Sequence, residues 1–335
     1  MIKKFTVIVL FLSIILGCNR EPRYHKKRQL KGNITISGAF ALYPITVLWA
    51  NEFMKLYPDI EIDISAGGAG KGMADVLNGM VDLGMVSREI NPEEFKKGAW
   101  IIAVAKDAVV PTISSKNPFI DTLVKKGITK DQLKLIFVED RIKDWSEITG
   151  IKTKHKVIHV FTRSDACGAG EIWGKYLGKN QEALQGIGVY GDPGMADAIQ
   201  NEAASIGYNN IVYAYDLSTR RVYPGICVLP IDLNNNGKID PEENFYGNLD
   251  SLNNAIRANI YPSPPARELY FVSKGKPKST VVKEFLKWIL TDGQKYVRKA
   301  GYVELSEEDR LNELSKVRFI LRRTFHLIKS NSEKR

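Results

Sequence analysis

A glycine-dense segment at residues 65–88, SAGGAGKGMADVLNGMVDLGMVSR, has the residue types that suit binding of a small oxyanion. Its glycines lack a Cβ, so several backbone amides can crowd round one guest. Apolar residues at helical spacing follow and predict a short helix whose partial positive end faces the same loop. A plain glycine-rich turn is the alternative. The glycines are Gly67, Gly68, Gly70 and Gly72, and the apolar residues are Met73, Val76, Leu77 and Met80.

The same design, a strand followed by a small-residue turn and a helix, occurs at two other places. Residues 36–44, ISGAFALYP, predict a strand that ends at a glycine and restarts as a helix. Residues 160–173, VFTRSDACGAGEIW, repeat the pattern with a helix beginning near Gly168. Three helix N-termini and two arginines, Arg88 and Arg163, can therefore converge on one anion. None of these loops has the spacing of a nucleotide-binding P-loop.

The order of these motifs carries a family resemblance. The segments ISGAFALYP, SAGGAGKGM, DLGMVSREI, RSDACGAG and IGYNNIVYAY resemble the phosphate-specific substrate-binding proteins of bacterial and archaeal ABC importers. The similarity continues in LIFVEDRIKDW, LYFVSKGKP, FLKWILTDGQKYV and GYVEL, and it covers most of residues 33–305. It implies an α/β, two-lobe periplasmic-binding-protein fold of type II. Each lobe would be a mostly parallel sheet flanked by helices, with the ligand in the interlobe cleft.

The resemblance also implies a function and a site. The ligand would be inorganic phosphate, delivered to the transmembrane subunits of an ABC permease for import, without catalysis. Arg163 would be the main counter-ion, whereas Arg88 can equally tie down a loop. The implied ligand-binding residues are Ala39, Phe40, Ala41, Leu42, Gly68, Ala69, Gly70, Ser87, Arg88, Arg163, Cys167, Gly168 and Ala169.

This sequence departs from the family pattern at the side chains of the turns. Family members usually have serine or threonine hydroxyls in the first and last turns, where this chain has alanine, phenylalanine and cysteine. Some members have an aspartate in place of Ser87, which accepts the phosphate proton and rejects sulfate. Asp165 is a candidate substitute. A receptor for another oxyanion (sulfate or molybdate) and a calcium-stabilised surface scaffold without ligand remain as alternatives.

A second motif, DLNNNGKIDPEE at residues 232–243, matches the EF-hand calcium loop at every ligand position. Gly237 stands where that loop must turn sharply. Residues 228–231 before it predict a strand instead of a helix, so we expect a lone structural Ca²⁺ clip and not a paired sensor. An asparagine-rich surface turn is the alternative. The predicted ligands are Asp232, Asn234, Asn236, the Lys238 carbonyl, Asp240 and Glu243.

The N-terminus predicts export and a lipid anchor. Residues 1–17 combine Lys3 and Lys4, an apolar run and a small final residue, which fits a cleaved secretory signal. Cys18 follows directly and resembles the bacterial lipobox, which implies diacylation of Cys18 and a membrane-anchored protein facing the periplasm or cell exterior. An uncleaved anchor is the alternative, but the apolar run is too short to span a bilayer.

Composition predicts an exported body with a sizeable core. The chain has 335 residues, 44% of them hydrophobic, which is enough for two lobes. Its formal net charge of +10 comes largely from clusters at the two ends, residues 20–31 and 318–335. No basic stripe is interleaved with aromatic residues, so we expect no nucleic-acid partner. We expect a monomer.

The cysteines allow a catalytic and a disulfide interpretation. Cys167 at a helix N-terminus could be an activated nucleophile helped by His159 or Asp165, but a plain strand histidine is the simpler interpretation. Cys167 and Cys227 could also form a disulfide in an exported protein, although two free thiols are preferred. No metal-enzyme motif is present in the sequence.

These patterns predict the organisation of the chain. A signal peptide occupies residues 1–17, a lipidated tether 18–32 and a basic tail 321–335. Lobe 1 comprises 33–106 and 263–320, and lobe 2 comprises 107–262. The crossings are placed near Lys106 and near the stiff YPSPP segment at 261–265. Residues 285–296 are predicted to form a helix that packs on lobe 1.

Overall fold

The computed structural model describes residues 30–317. The predicted signal peptide, Cys18, most of the predicted tether and the predicted basic tail therefore lie outside the described residues. Among residues 30–317, no helix combines the length and the apolar character that a membrane crossing requires.

Strands and helices alternate along most of the described chain. The strands are β1 Gly32–Gly38, β2 Ile60–Ala66, β3 Leu83–Val86, β4 Ala99–Ser114, β5 His159–Arg163, β6 Ile187–Val189, β7 Ser205–Asn210, β8 Ile226–Val228 and β9 Ala266–Lys274. The helices are α1 Tyr43–Leu56, α2 Ala69–Leu77, α3 Pro92–Lys96, α4 Ile120–Lys126, α5 Lys130–Phe137, α6 Trp145–Thr149, α7 Gly168–Tyr176, α8 Gly191–Asn201, α9 Ile211–Ala214, α10 Leu249–Arg257, α11 Thr280–Ile289 and α12 Glu307–Val317. Short 3-10 helices lie at Phe40–Leu42, Gln181–Ala183, Pro241–Glu243 and Asp292–Tyr296.

The strands form one continuous sheet with the order β2-β1-β3-β9-β4-β7-β5-β6, and β8 pairs with β4 on the edge opposite β7. The long strand β4 joins the two halves. It pairs with β9 as far as Ala108 and with β7 from Val109 onward. The sequence placed a crossing between the lobes near Lys106, and the chain passes that position within β4, just before the change of partner strand. We call the part built on β1–β3 lobe 1 and the part built on β5–β7 lobe 2.

The predicted α/β class with flanking helices is confirmed, and the sheet is mixed. Within each lobe the pairs β1–β2, β1–β3, β5–β6 and β5–β7 are parallel, as predicted. The pairs that involve β4 and β9 are antiparallel. The physical reason is that the chain leaves lobe 1 along β4 and returns along β9, so these two strands run in opposite directions.

Aromatic side chains form the core of lobe 1 around α1. Trp49 and Phe53 of this helix are fully buried, and Trp49 Nε1 donates a hydrogen bond to the Gly293 carbonyl at 2.8 Å. The ring of Phe53 lies 5.1 Å from that of Phe285 on α11. The predicted packing of residues 285–296 on lobe 1 is thus observed, but as α11 followed by a 3-10 turn instead of one helix.

A second aromatic cluster forms the core of lobe 2. The ring of Trp173 on α7 stacks on that of Tyr208 on β7 at 5.6 Å, and Phe137 on α5 meets both rings edge-on. Because α7 and β7 share this cluster, the start of α7 has a fixed position relative to the end of β7. Each lobe therefore has its own aromatic core.

Gly72 allows α2 to pack closely against the sheet of lobe 1. A Cβ at Gly72 would lie 2.7 Å from the Gly38 Cα, 2.7 Å from the Met85 carbonyl and 2.8 Å from the Ser37 carbonyl. This contact brings the N-terminus of α2 next to the C-terminal end of β1. The apolar face of α2 was predicted to include Met80, but the helix ends at Leu77 and Met80 is 72% exposed.

We therefore predict that Gly72→Ala destabilises the protein, because backbone atoms cannot give way as a flexible side chain can. The free energy of unfolding should fall by about 1–3 kcal/mol, the usual cost of overpacking a core. Gly194→Ala is the matched control, since Gly194 lies in α8 with open space around it. It should raise stability by about 0.4–1 kcal/mol. Equal urea-denaturation midpoints for Gly72→Ala and the wild type would contradict this account.

Candidate functional site

Three turns meet where the two lobes face each other. The first leads from β1 into Phe40–Leu42, the second from β2 into α2, and the third from β5 into α7. The amide of Gly70 in the second turn donates to the carbonyl of Ala166 in the third at 3.1 Å. The Tyr213 hydroxyl of lobe 2 donates to the Phe40 carbonyl of the first at 3.1 Å. The turns that the sequence singled out are thus in direct contact.

Helix N-termini in these turns have backbone amides without an intrahelical acceptor. Within residues 30–317, no acceptor takes a hydrogen bond from the amides of Phe40, Ala41, Ala69, Gly168 and Ala169. These amides come from both lobes. They are groups that an oxyanion in the cleft can use.

Other predicted amides already have protein partners. The Ala39 amide donates to the Met85 carbonyl at 2.9 Å, and the Leu42 amide donates to the Ala39 carbonyl at 3.1 Å. The Gly68 amide donates to the Gly38 carbonyl at 3.1 Å, and Gly70 is held by the third turn. These residues shape the turns, but their amides do not point to a free space for a ligand.

Arg163, at the end of β5, is the most constrained charge in the cleft. Its side chain is 1% exposed. Nε donates to Asp165 Oδ1 at 2.7 Å, Nη2 to Asp165 Oδ2 at 2.6 Å, and Nη1 to Asp192 Oδ2 at 2.8 Å. A guanidinium has five N–H groups, so two remain for a ligand. Burial alone would lower the pKa of Arg163, but Asp192 and Asp165 raise it above its ordinary value, so the charge is permanent.

Phe40 covers this arginine from lobe 1. Its ring lies 5.7 Å from the Arg163 guanidinium carbon and 6.0 Å edge-on from the ring of Tyr190 in lobe 2. The arrangement is a cation–π contact. A phenylalanine at this position thus contributes an interlobe contact in addition to its free amide.

A polar network continues from Arg163 toward the strands that join the lobes. Asp192 at the start of α8 accepts from the Asn210 side-chain amide at 2.5 Å, and Asn210 Oδ1 accepts from Arg267. Arg267 Nε donates to Asp107 Oδ1 at 2.9 Å. None of these four residues is predicted as a site residue from the sequence. The sequence feature that could have indicated them is polar residues next to a buried apolar segment, such as the two asparagines at the end of β7.

Ser87 and Arg88 lie at the edge of the site. Ser87 is buried, and the start of α7 packs so closely on it that only a glycine fits at Gly168. Arg88 makes two hydrogen bonds with the Glu94 carboxylate, at 2.9 and 2.7 Å, and these bonds raise the pKa of Arg88. Glu94 belongs to α3 of the same lobe, so Arg88 ties down a loop, the alternative that the sequence left open.

Cys167 in the third turn is the N-cap residue of α7. Its Sγ accepts a hydrogen bond from the Gly170 amide at 3.2 Å and so caps α7. Burial raises the pKa of this thiol to about 12, and His159 pairs with Glu202 at 3.3 Å instead of with the thiol. Cys167 and Cys227 are both free, as preferred from the sequence. A neutral buried thiol is a poor nucleophile.

The predicted calcium loop at residues 232–243 is held by its own hydrogen bonds. Asp232 accepts from the Gly237 amide at 2.8 Å, and Glu243 Oε1 accepts from the Leu233 amide at 2.8 Å. Asp232 and Glu243 are buried. Asp240 forms an ion pair with Lys238 at 2.7 Å, and hydrogen bonds from Lys238 and two asparagine amides lower its pKa to about 2.

Two asparagine side chains of this loop face the Asp240 carboxylate. Across residues 30–317, no group of three or more His, Cys, Asp or Glu side chains is placed to hold a metal ion. The asparagine side chains of the loop turn their amide nitrogens toward Asp240, at 3.0 Å from Asn234 and 2.7 Å from Asn236. Rotation of the Asn234 and Asn236 side-chain amides would turn their oxygens, in place of their nitrogens, toward the interior of the loop.

Comparisons with known proteins bear on this site. A family model described as a PBP superfamily domain matches residues 25–293. The chain is 33% identical over 216 residues to the phosphate-binding protein PstS of Bacillus subtilis, a match that covers 62% of this chain and 69% of that one. It is 28% identical over 310 residues to PstS of Pseudomonas aeruginosa, which covers 85% and 86% of the two chains.

Solved structures show the same fold. A putative phosphate ABC transporter substrate-binding protein from Clostridium perfringens with bound phosphate superimposes with a TM-score of 0.66 at 21% identity, over 82% of this chain and all of that one. An ABC-type phosphate transport receptor from Vibrio cholerae gives a TM-score of 0.59 at 18% identity, over 81% of this chain and 100% of that one. The predicted two-lobe fold is therefore confirmed.

Proposed function

The chain belongs to the PBP superfamily and to the family of PstS phosphate-binding proteins, and we propose that it binds inorganic phosphate outside the cytoplasm and delivers it to an ABC permease for import. The observation that carries this proposal is the convergence of three helix N-termini on Arg163 at the interlobe cleft. We propose that it acts as a monomer. We also propose that it acts without catalysis, since the Cys167 thiol is neutral and serves as the cap of α7.

Backbone amides would supply most of the contacts to the anion. The free amides of Phe40, Ala41, Ala69, Gly168 and Ala169 come from both lobes, so one bound phosphate would hold the cleft closed. Arg163 would add its two remaining N–H groups, because Asp165 and Asp192 fix its plane. This arrangement needs no hydroxyls, which is how the site can work with alanine and cysteine in its turns.

Asp165 is the best-placed acceptor for the proton of phosphate. Its carboxylate faces the second turn, where Oδ2 lies 3.0 Å from the position that a Cβ at Gly68 would occupy. Phosphate carries a proton that this oxygen can accept, whereas sulfate carries none and would meet an unpaired lone pair. Asp165 would thus take over the role that Ser87 cannot perform.

The function can be tested by titrating the ligand-free protein with phosphate, sulfate and molybdate in a calorimeter and in thermal melts. Phosphate should bind and raise stability by about 2.7 kcal/mol at a hundred times its dissociation constant. Tighter binding of sulfate or molybdate would favour the receptor for another oxyanion. No binding of any of the three would favour the scaffold.

Arg163→Ala should weaken phosphate binding by about 2–5 kcal/mol, because two buried carboxylates then face the anion without compensation. Arg163→Lys keeps the charge but loses the fork, and it should fold well and still bind more weakly than the wild type. Arg220→Ala is the matched control, since Arg220 pairs with Asp250 elsewhere in lobe 2. Unchanged affinity in both Arg163 variants would remove this residue from the site.

We further propose that the protein is anchored to the membrane by a lipid on Cys18. The support is the sequence alone: an apolar run, a small residue and then Cys18. Cys18→Ala should move the chain from the membrane fraction to a soluble or unprocessed form, because a diacylated cysteine supplies more than one buried chain. Labelling with a radioactive fatty acid measures this directly. Label that persists in Cys18→Ala would show that the lipid is elsewhere.

We also propose that residues 232–243 bind Ca²⁺ as a structural clip, away from the anion site. The loop has three carboxylates, Asp232, Asp240 and Glu243, and two asparagine oxygens can join them after rotation. The ion would replace the Lys238 ion pair with Asp240. The alternative is that these hydrogen bonds make the loop self-sufficient.

Calcium at about 1 mM, a concentration that fills weak extracellular sites, should then raise the melting temperature of the wild type. Glu243→Gln should abolish this rise by removing the bidentate ligand, whereas Glu242→Gln, an exposed neighbour, should keep it. Phosphate affinity should be the same with and without chelator. A calcium response that is equal in both variants would show that the loop is not the calcium site.

A further inference from the structure

Arg267 joins three parts of the molecule through one buried side chain. It lies on β9, and its side chain is 4% exposed. Nη1 donates to the Gly168 carbonyl at 2.5 Å, Nη2 donates to Asn210 Oδ1, and Nε donates to Asp107 Oδ1 at 2.9 Å. Gly168 begins α7, Asn210 ends β7 and Asp107 lies on β4, so the contacts reach a ligand turn, lobe 2 and the strand that joins the lobes.

Each of the first two contacts leads to a group that faces the proposed anion. The Gly168 carbonyl belongs to the turn whose Gly168 and Ala169 amides are free, so a donor on that carbonyl fixes the direction of the turn. Asn210 donates its side-chain amide to Asp192, and Asp192 holds Nη1 of Arg163. Hydrogen bonds therefore connect Arg267 directly to the turn with the free amides and, through Asn210 and Asp192, to Arg163.

The position of Arg267 also links the site to the passage between the lobes. β4 and β9 are the strands that run from one lobe to the other, and Asp107 and Arg267 pair across them. Arg267 also lines a cavity of about 660 Å³ between the lobes, together with Arg88 of lobe 1 and Ile172 of α7. A change in the angle between β4 and β9 would move the guanidinium and its three partners together.

We propose that Arg267 is a positioning residue that makes anion affinity depend on the strands joining the lobes, an inference that rests on the proposed phosphate binding. The Asp107 pair holds the guanidinium on the joining strands. The contacts to Gly168 and Asn210 set the geometry of the cleft. These two tasks are separable by substitution, because within residues 30–317 the Asp107 carboxylate accepts hydrogen bonds from the guanidinium alone.

Arg267→Lys and Asp107→Asn separate the tasks in the full chain, purified in detergent. In Arg267→Lys the lysine keeps a positive charge beside Asp107, so the melting temperature should stay near that of the wild type. The lysine cannot reach all three acceptors, so phosphate affinity should fall about tenfold. Asp107→Asn weakens the ion pair but leaves the guanidinium contacts to Gly168 and Asn210. It should lower the melting temperature more than the affinity.

Cys167 gives a readout that needs no ligand. It precedes Gly168, and its thiol caps α7. Peptide-resolved alkylation with iodoacetamide, without phosphate, should show a higher ratio of Cys167 to Cys227 labelling in Arg267→Lys than in the wild type. Asp107→Asn should leave this ratio unchanged. Arg257→Met is the control, because Arg257 lines the same cavity but pairs with Glu304.

The outcomes separate this inference from the proposed function. If the wild type binds no phosphate, the proposed function fails, and the labelling ratio alone then decides whether Arg267 orients the turn. If the wild type binds phosphate and Arg267→Lys binds it equally well with an unchanged labelling ratio, Arg267 is not a positioning residue. The same conclusion follows if Asp107→Asn loses as much affinity as Arg267→Lys.

Discussion

The cleft depends on a buried arginine that the protein itself neutralises. Arg163 has almost no contact with solvent, and its charge is stable there only because Asp165 and Asp192 accept its hydrogen bonds. The two carboxylates come from the third turn and from the start of α8, so folding of lobe 2 is what assembles the pair. Two N–H groups remain as hydrogen-bond donors for a ligand, although the charge of the guanidinium is already paired.

The charge of the whole network explains why backbone amides matter so much here. Three aspartates with side chains at most 7% exposed, Asp107, Asp165 and Asp192, face two arginines, Arg163 and Arg267. Side-chain charge alone therefore does not attract an anion. Helix N-termini supply partial positive charge and donors at fixed positions without adding another cation, and close glycine packing is what lets them approach.

The sequence predicted the elements of the site better than its internal contacts. Strand-turn-helix order and the start of α7 near Gly168 follow from local composition, and both are present, whereas the cap formed by Cys167 was not predicted. The antiparallel pairing of β4 with β9 was not predicted, since its partners are far apart in the chain. Asp192 and Arg267 were also missed, because a lone charged residue in an apolar segment gives no hint of its partner.

The sequence by itself determined what each segment can form, since glycine placement, helical spacing and capping residues act over a few neighbours. It also determined that five positions of the first and third turns carry no hydroxyl: Ala39, Phe40, Ala41, Cys167 and Ala169. Only the tertiary structure decided which carboxylates Arg88 and Arg163 pair with. Arg88 pairs with Glu94 of its own lobe, whereas Arg163 pairs with two carboxylates at the cleft. An arginine can pair with any carboxylate within reach, and reach is set by the packing of whole lobes.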